Sequence, residues 1–316
     1  MPLAWLFHLI VRVRRAAYRA GLLRSIRVAR PVIVIGNITV GGTGKTPFTI
    51  WLAGLLQARG LRVGIVLRGY GGRSAHWPVT VTAGTPWEEA GDEAVLLAQR
   101  TAAVVVAGPD RVADAQRAIE LGADIVLSDD GLQHYRLARD CEIAVIDEQR
   151  GLGNRRLLPA GPLREPATRL SEVDLQVITR RSGASARAAQ GAKTCITVVP
   201  LLRDAVSIVT GETRELRSFV GERVHAVAAI GHPQAFFDAL AAMSLEVQAH
   251  PLPDHARLAS ADIAFADDLP VLMTEKDAVK CRAIADRRHW AVRMDIETSA
   301  EDAARVSALV HRFVGA

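Results

Sequence analysis

The sequence predicts an α/β protein whose mostly parallel sheet carries a glycine-rich loop after its first strand. Three observations support this. From Pro31 onward, short Val- and Ile-rich runs alternate with longer helical patterns, the pattern of parallel strands covered on both faces. Between the first strand and the first long helix lies Gly41-Gly42-Thr43-Gly44-Lys45-Thr46, and a basic amphipathic segment precedes both. A length of 316 residues suits two domains, and 49% apolar against 23% charged residues excludes a disordered or collagenous chain. The three cysteines, Cys141, Cys195 and Cys281, form no C-x-x-C pair. That spacing excludes a zinc ribbon or a disulfide framework and suits a reducing compartment.

Residues 1–30 are expected to form a separate element. Leu3 to Val11 is too short to span a bilayer, which needs about 20 residues. Its charges follow the apolar run, unlike those of a secretory signal. On a helix, Leu3, Leu6, Ile10, Val13 and Ala17 form one stripe, with Arg12, Arg15 and Arg19 opposite and Arg14 near the border. Trp5, Phe7 and Tyr18 are rings suited to a membrane interface, and Arg24, Arg27 and Arg30 continue the charge. The expectation is a helix lying in the head-group plane with its arginines among phosphates. Residues 1–87 hold twelve basic and no acidic side chains, while the remainder holds 27 basic and 34 acidic ones, so an anionic partner belongs to the front of the chain. No RNA-reading motif or helix-turn-helix pattern accompanies the arginines, so nucleic acid is not expected, and nothing calls for an obligate protein partner.

The remaining elements follow in order. Strands are expected at Val32–Ile35, Val63–Leu67, Ala103–Ala107, Ile125–Leu127, Ile143–Ile146 and Leu175–Thr179, giving a core over 31–192 that ends in a Ser/Ala/Gly-rich linker, Ser182–Ala192. A smaller α/β domain over 193–316 is expected to begin with a hairpin hinge formed by Cys195–Val199 and Val206–Thr210. Strands His225–Ile230, Leu245–Ala249, Val271–Thr274 and Ala291–Met294 and helices Pro233–Met243 and Ala300–Phe313 complete it. The active site is expected in the cleft between the two.

The loop is the strongest chemical signal. A glycine-rich turn from strand to helix lets backbone N–H groups surround a phosphate, and the helix N-terminus adds partial positive charge. Thr39, Val40, Gly41, Gly42, Thr43, Gly44, Lys45 and Thr46 are the expected nucleotide contacts. Lys45 would reach the β- and γ-phosphates, and Thr46 would place its hydroxyl on Mg²⁺. Thr39 stands where the strict P-loop pattern has glycine. The run Asp124–Asp130 is an apolar strand ending in two carboxylates, the place where P-loop proteins hold magnesium. The fold is therefore expected to be of P-loop NTPase type. Thr274-Glu275-Lys276-Asp277 lacks the guanine-reading pattern, which leaves ATP as the expected nucleotide.

Over nearly its whole length the chain resembles the tetraacyldisaccharide 4′-kinases, the lipid A 4′-kinases of bacteria with an outer membrane. The resemblance rests on Gly36–Pro47, Arg68-Gly69-Tyr70-Gly71-Gly72, Gly91-Asp92-Glu93, Asp129-Asp130-Gly131-Leu132-Gln133-His134 and Leu158–Glu165. It continues through Gly231-His232-Pro233 with Phe236-Phe237, Pro253-Asp254-His255 and Thr274–Lys280. It departs at Leu67, where some members have Ser, and at Ala256, where many have a second His. The resemblance implies phosphoryl transfer from ATP to the 4′-hydroxyl of a tetraacylated glucosamine disaccharide 1-phosphate. The enzyme would be peripheral at the cytoplasmic face of the inner membrane, with a C-terminal domain that closes over the nucleotide. It also implies that Asp92 is the base and that His255 pairs with it. Read without the resemblance, Asp92 and Glu93 begin a helix, where acids suit the dipole.

Glu93, Asp129, Asp130 and Gln133 are oxygen donors suited to Mg²⁺ or its waters. His134 either faces the cleft or caps the turn. Arg68, Arg73, Arg111 and Arg164 are the expected contacts for the substrate phosphate or the transition-state charge. Lys276 and Lys280 either face the site or pair with Asp277. The competing readings are a P-loop ATPase or amidoligase acting on a soluble metabolite, and a nucleotide-gated membrane adaptor.

Overall fold

The computed structural model describes residues 2–180 and 194–314; the expected linker Ser182–Ala192 lies outside the described residues. In chain order the first elements are α1 (Pro2–Arg19), β1 (Val32–Gly36), α2 (Lys45–Gln57), β2 (Val63–Leu67), β3 (Val79–Val81), α3 (Trp87–Ala90) and α4 (Asp92–Arg100). They are followed by β4 (Val104–Ala107), α5 (Arg111–Glu120), β5 (Ile125–Asp129), β6 (Cys141–Asp147) and β7 (Leu175–Thr179). The later elements are β8 (Cys195–Ser207), β9 (Thr213–Glu215), β10 (Arg223–Ala228), α6 (Pro233–Ala242), β11 (Glu246–Pro251) and α7 (Ser260–Ile263). Then come β12 (Val271–Thr274), α8 (Glu275–Cys281), β13 (His289–Thr298) and α9 (Ala300–Val314).

The strands form one mixed sheet in the order β11-β10-β12-β13-β8-β7-β6-β1-β5-β2-β4-β3, with β9 on β8. Two parallel sets are visible in it. The run β7-β6-β1-β5-β2-β4 is parallel throughout, and so is β11-β10-β12-β13. They meet where β8, parallel to β7, runs antiparallel to β13.

In the first set the alternation of side chains sorts the apolar residues onto two faces. Ile33, Ile35, Ile65, Leu67, Ile125 and Leu127 pack with Phe48, Leu52 and Leu56 of α2, Val95 and Leu97 of α4, and Val306 and Val310 of α9. Val32, Val34, Val66, Val106 and Val126 pack on the other face with Val112, Ala115 and Ala118 of α5. Both faces are covered, which is why the strands read as continuous apolar runs. Fully burying a side chain such as Phe48 or Leu52 contributes about 1.5–3 kcal/mol.

The expected hairpin at the start of the later part is corrected. Cys195–Val199 and Val206–Thr210 do not pair; residues 195–207 are one strand, and the turn comes after Ser207, where β9 folds back. Pro200 lies inside it, past Val198, the last residue paired with β7, and opposite Ile296 of β13. The strands β3 and β9, three residues each, are too short to show a period in the sequence.

Helix α1 lies on the body through one side only. Phe7 packs against the second core, Arg15 reaches Glu165 and Glu172, and Tyr18 stacks on Tyr135. Leu3, Leu6, Leu9, Ile10 and Val13 are more than half exposed, as is Trp5. The apolar stripe thus faces outward, as expected, but Arg15 and Arg19 bind Glu172 instead of facing phosphates. Their partner is more than 150 residues away in sequence, outside the reach of a helical pattern. Among the described residues no helix is long and apolar enough to cross a membrane.

Candidate active site

The carboxyl ends of β1, β5 and β2 lie side by side, and the loops leaving them build the site. After β1, Gly44 adopts φ +85° immediately before α2, a left-handed conformation that glycine takes without strain. The loop is braced from within: Asn37 donates its amide to the Gly41 carbonyl and Thr43 hydroxyl, and Thr179 donates its hydroxyl to the Thr43 carbonyl. Its first part is spoken for. Thr39 bridges to Leu163, and the Val40 amide donates to the Pro162 carbonyl at 2.9 Å, which braces the start of the loop. Gly41 to Thr46, ending in the unpaired N–H groups of the first turn of α2, form the cradle itself.

Asp129 and Asp130 end β5 beside it. Lys45 Nζ is 3.5 Å from Asp130, and Arg164 approaches the same carboxylate at 3.1 Å. Burial works to raise the Asp130 pKa and is outweighed by Lys45 and Arg164, so it stays ionised. Asp129 behaves oppositely: burial, with Glu93 and Asp130 nearby, pushes its pKa up to about 7. Asp129, Asp130 and Glu93 lie close enough to influence one another, and their oxygens are of the kind Mg²⁺ takes. Among the described residues no three carboxylate, His or Cys side chains form a ready-made metal cage.

Helix α4 begins against the loop after β2. Gly91, at φ +92°, has no room for a side chain: a Cβ there would lie 2.4 Å from the Tyr70 carbonyl. The close approach sets Asp92 at the helix start, buried, with Oδ1 accepting from the Glu93 amide. Its Oδ2 faces the later part of the chain. His255 Nδ1 is 3.7 Å away and Lys280 Nζ 3.3 Å away. Burial acts to raise the Asp92 pKa; His255, Lys276 and Lys280 together outweigh it, so the carboxyl lies below its usual range and is ionised at neutral pH. Tyr70 packs its ring against His255, 4.9 Å between centroids, and Lys276 donates to Glu93 at 2.9 Å.

The other expected residues divide. Arg68 and Arg73 are exposed near the cleft. Arg164 is directed at Asp130 by the segment Leu158–Glu165, whose Glu165 is buried and accepts from Gln133 and Tyr135. Gln133 spends its amide nitrogen on that bond and on the Asn37 carbonyl, a brace between loops. Arg111 is 3% exposed, donates to the Gly108 carbonyl and pairs with Asp114, and lies close enough to Asp129, Asp130 and His134 for their charges to interact. Its place at the start of α5 points it back over the turn before the helix. His134 lies beside the carboxylates, and burial, with Arg111 nearby, lowers its pKa to about 4, leaving it neutral. The residues that sequence reasoning passed over are Asn37, Tyr70 and Thr179, none of which lies in a spacing pattern of its own.

The geometry joins a phosphate cradle to a buried, ionised carboxylate paired with histidine. The family model described as tetraacyldisaccharide-1-P 4′-kinase matches residues 1–313. The chain belongs to the tetraacyldisaccharide-1-P 4′-kinase family. It is 47% identical over 98% of its length to the tetraacyldisaccharide 4′-kinase of Nitrosococcus oceani, covering 90% of that protein. It is 48% identical to that of Alkalilimnicola ehrlichii over 96% of this chain and 89% of the relative. A solved structure of the same kinase family, LpxK from Aquifex aeolicus in complex with ATP, superposes with a TM-score of 0.85 at 29% identity, covering 99% of this chain and 98% of that one.

Proposed function

We propose that the protein transfers the γ-phosphoryl group of ATP to the 4′-hydroxyl of a tetraacylated glucosamine disaccharide 1-phosphate, in lipid A biosynthesis. The observation that carries the assignment is the pairing of a P-loop with Asp92, an ionised carboxylate held at the mouth of the same cleft. A sugar hydroxyl is a poor nucleophile at neutral pH, so a positioned base is what such a kinase needs. The 4′-oxygen forms its bond to phosphorus as the bond to the β-phosphate oxygen breaks. The hydroxyl proton passes to Asp92, and ADP leaves.

The chain's own groups share the remaining work. Lys45 exchanges its contact with Asp130 for the β- and γ-phosphates, and the amides of Gly41–Thr46 hold the phosphates in place. Arg164, freed from Asp130 in the same exchange, is the arginine placed to meet phosphate charge; Arg68 and Arg73 serve the 1-phosphate from the exposed rim. Thr46, Asp129, Asp130 and Glu93 are the residues that would hold Mg²⁺, which supplies neutralising charge on the phosphates. The segment from β9 to β13 acts as a lobe on the P-loop core, joined to it through the β8–β13 ribbon, while α9 returns to pack on the core. Closure over a filled site tightens the 3.7 Å contact of His255 with Asp92, which limits loss of ATP to water.

The exposed apolar stripe of α1 supports a peripheral position on the cytoplasmic face of the inner membrane, where the acyl chains of the substrate would be anchored. Incubation with γ-³²P-ATP and a lipid extract, resolved by chromatography, tests the assignment: label should enter a disaccharide lipid with wild-type protein and not with Lys45→Ala. ATP hydrolysis without lipid labelling would favour the ATPase reading.

A further inference from the structure

Lys280 is a buried lysine that phosphate binding does not use. Its side chain is 1% exposed, and it comes from α8, at the far side of the cleft from the P-loop. The ammonium has three acceptors: Asp92 Oδ2 at 3.3 Å, Asp277 Oδ1 at 3.2 Å and the carbonyl of Ala256 at 3.3 Å. Two of these contacts are hydrogen bonds, to Asp277 and Ala256, and the third is an ion pair with Asp92. The oxygens belong to separate parts of the site. Asp92 begins α4. Ala256 follows His255 directly. Asp277 is fully buried and is itself held, accepting from the Ala229 amide at 2.9 Å and the Thr274 hydroxyl at 2.6 Å.

His255 needs such a fastening. Its backbone sits at φ +58°, a region a non-glycine residue occupies only when its surroundings hold it there. The loop is tied on one side by the His255 amide donating to the Ala229 carbonyl at 3.1 Å, and on the other by Lys280 on the next carbonyl. The same Ala229 also donates to Asp277. Both halves of the Asp92–His255 pair are thus referred to one anchored cation.

We propose that Lys280 is a positioning residue for phosphoryl transfer: one ammonium, anchored by Asp277, fixes the Asp92 carboxylate and the His255 loop relative to each other. The inference rests on the kinase reading above, in which Asp92 receives the hydroxyl proton. A lysine suits the post better than an arginine, because a planar guanidinium cannot aim at three oxygens spread around one point. A displacement of the base by about 1 Å is enough to cost about 10²-fold in rate.

The test is a mutant cycle on the full-length enzyme with ATP and lipid acceptor. Lys280→Met should lower kcat about 10²-fold and leave KM for ATP within about threefold. In an Asp92→Asn background, the same change should cost less than about threefold more, because there is no longer a base to place. A loss in the Asp92→Asn background equal to that in wild type would show that Lys280 acts elsewhere and overturn the proposal. So would a rise in KM for the lipid with kcat unchanged. Removing Lys280 leaves two buried carboxylates uncompensated, so Lys280→Met can fail to fold. Lys280→Arg, which keeps the charge, is then read in the same cycle: a kcat loss of about tenfold or more that vanishes with Asp92→Asn supports positioning, and wild-type kcat overturns it. If Asp92→Asn alone leaves kcat unchanged, the kinase mechanism has failed, and that result is distinct from either outcome for Lys280.

Discussion

The phosphate cradle and the Asp92–His255 pair lie in one cleft but are built in opposite ways. The cradle is local: Gly41 to Thr46 supply backbone amides, a left-handed glycine and the first turn of α2 within six residues. The pair is assembled from α4, the loop after β11 and α8, separated by more than 160 positions in the chain. The cradle works through fixed dipoles whose geometry the chain itself imposes. The pair works through charges that must be held together by packing between distant segments. The first should fail by losing a contact, and the second by losing an alignment.

The largest effect belongs to the cradle. Lys45→Ala should lower phosphoryl transfer by about 10³-fold or more, because the charge it offsets grows toward the transition state. Thr46→Ala should follow closely. Purified Lys45→Ala with near wild-type kinetics would break the kinase assignment.

The pair comes next. Asp92→Asn should preserve ATP binding, measured by equilibrium titration, while kcat falls by about 10²–10⁴-fold. His255→Ala should lose as much or less. The double mutant should cost far less than the product of the two losses, since members of one unit are not additive. Multiplicative losses would mean that the 3.7 Å contact is incidental and that the two residues act separately.

The same contrast explains what can be read from sequence. The strands Val63–Leu67, Leu175–Thr179 and Val271–Thr274 are legible to the residue because a strand covered on both faces leaves a mostly apolar run, broken here only by Gln176 and the closing threonines. The cradle is legible because its chemistry is contiguous, although its first two residues turn out to be braces. Asp92 and His255 have no local signal; the family resemblance carries them, and the fold brings them together. Arg111 shows that motif membership says nothing of direction: the arginine folds back over its own turn to Asp114, with Asp129 and Asp130 still within reach of its charge. The hairpin fails because Pro200 reads as a turn residue, whereas it sits inside one long strand opposite Ile296 of β13.

A pH measurement probes the region behind the cradle. Asp114 is buried beside Arg111, and burial raises its pKa to about 7 despite that cation. Between pH 4 and 7 the folded state therefore holds a proton that the unfolded state has released, and this group's contribution to stability falls as pH rises through that window. Asp114→Asn removes the dependence. Urea denaturation at about pH 5 and about pH 8 should show the mutant gaining on wild type toward the higher pH, by about 1.4 kcal/mol for each pH unit crossed below the folded-state pKa. A mutant that loses ground toward the higher pH would place the Asp114 pKa below its ordinary value.

The smallest expected effect concerns α1, which combines both kinds of construction. Its exposed apolar stripe is a local pattern, but the roles of its arginines depend on a distant glutamate. Arg15 and Arg19 are committed to Glu172, whereas Arg12 is exposed and Arg14 lies over the Tyr18 and Tyr135 rings at the border of the stripe. A basic side chain near an anionic surface contributes about 1 kcal/mol, so Arg12→Gln with Arg14→Gln should weaken binding to phosphatidylglycerol vesicles by about thirtyfold. Arg15→Gln with Arg19→Gln should change vesicle binding far less and instead lower the melting temperature, since it leaves Glu172 and the buried Glu165 with fewer cations. Raising salt should weaken the wild-type interaction but leave a remainder due to Leu3, Leu6, Ile10 and Val13, which carry no charge to screen. Co-sedimentation at two salt concentrations, with a melting curve for each variant, separates the two arginine pairs. Equal loss of vesicle binding from both pairs would mean that Glu172 releases its arginines at the membrane, and the helix would then bind with the charged side that the ligand-free fold turns inward.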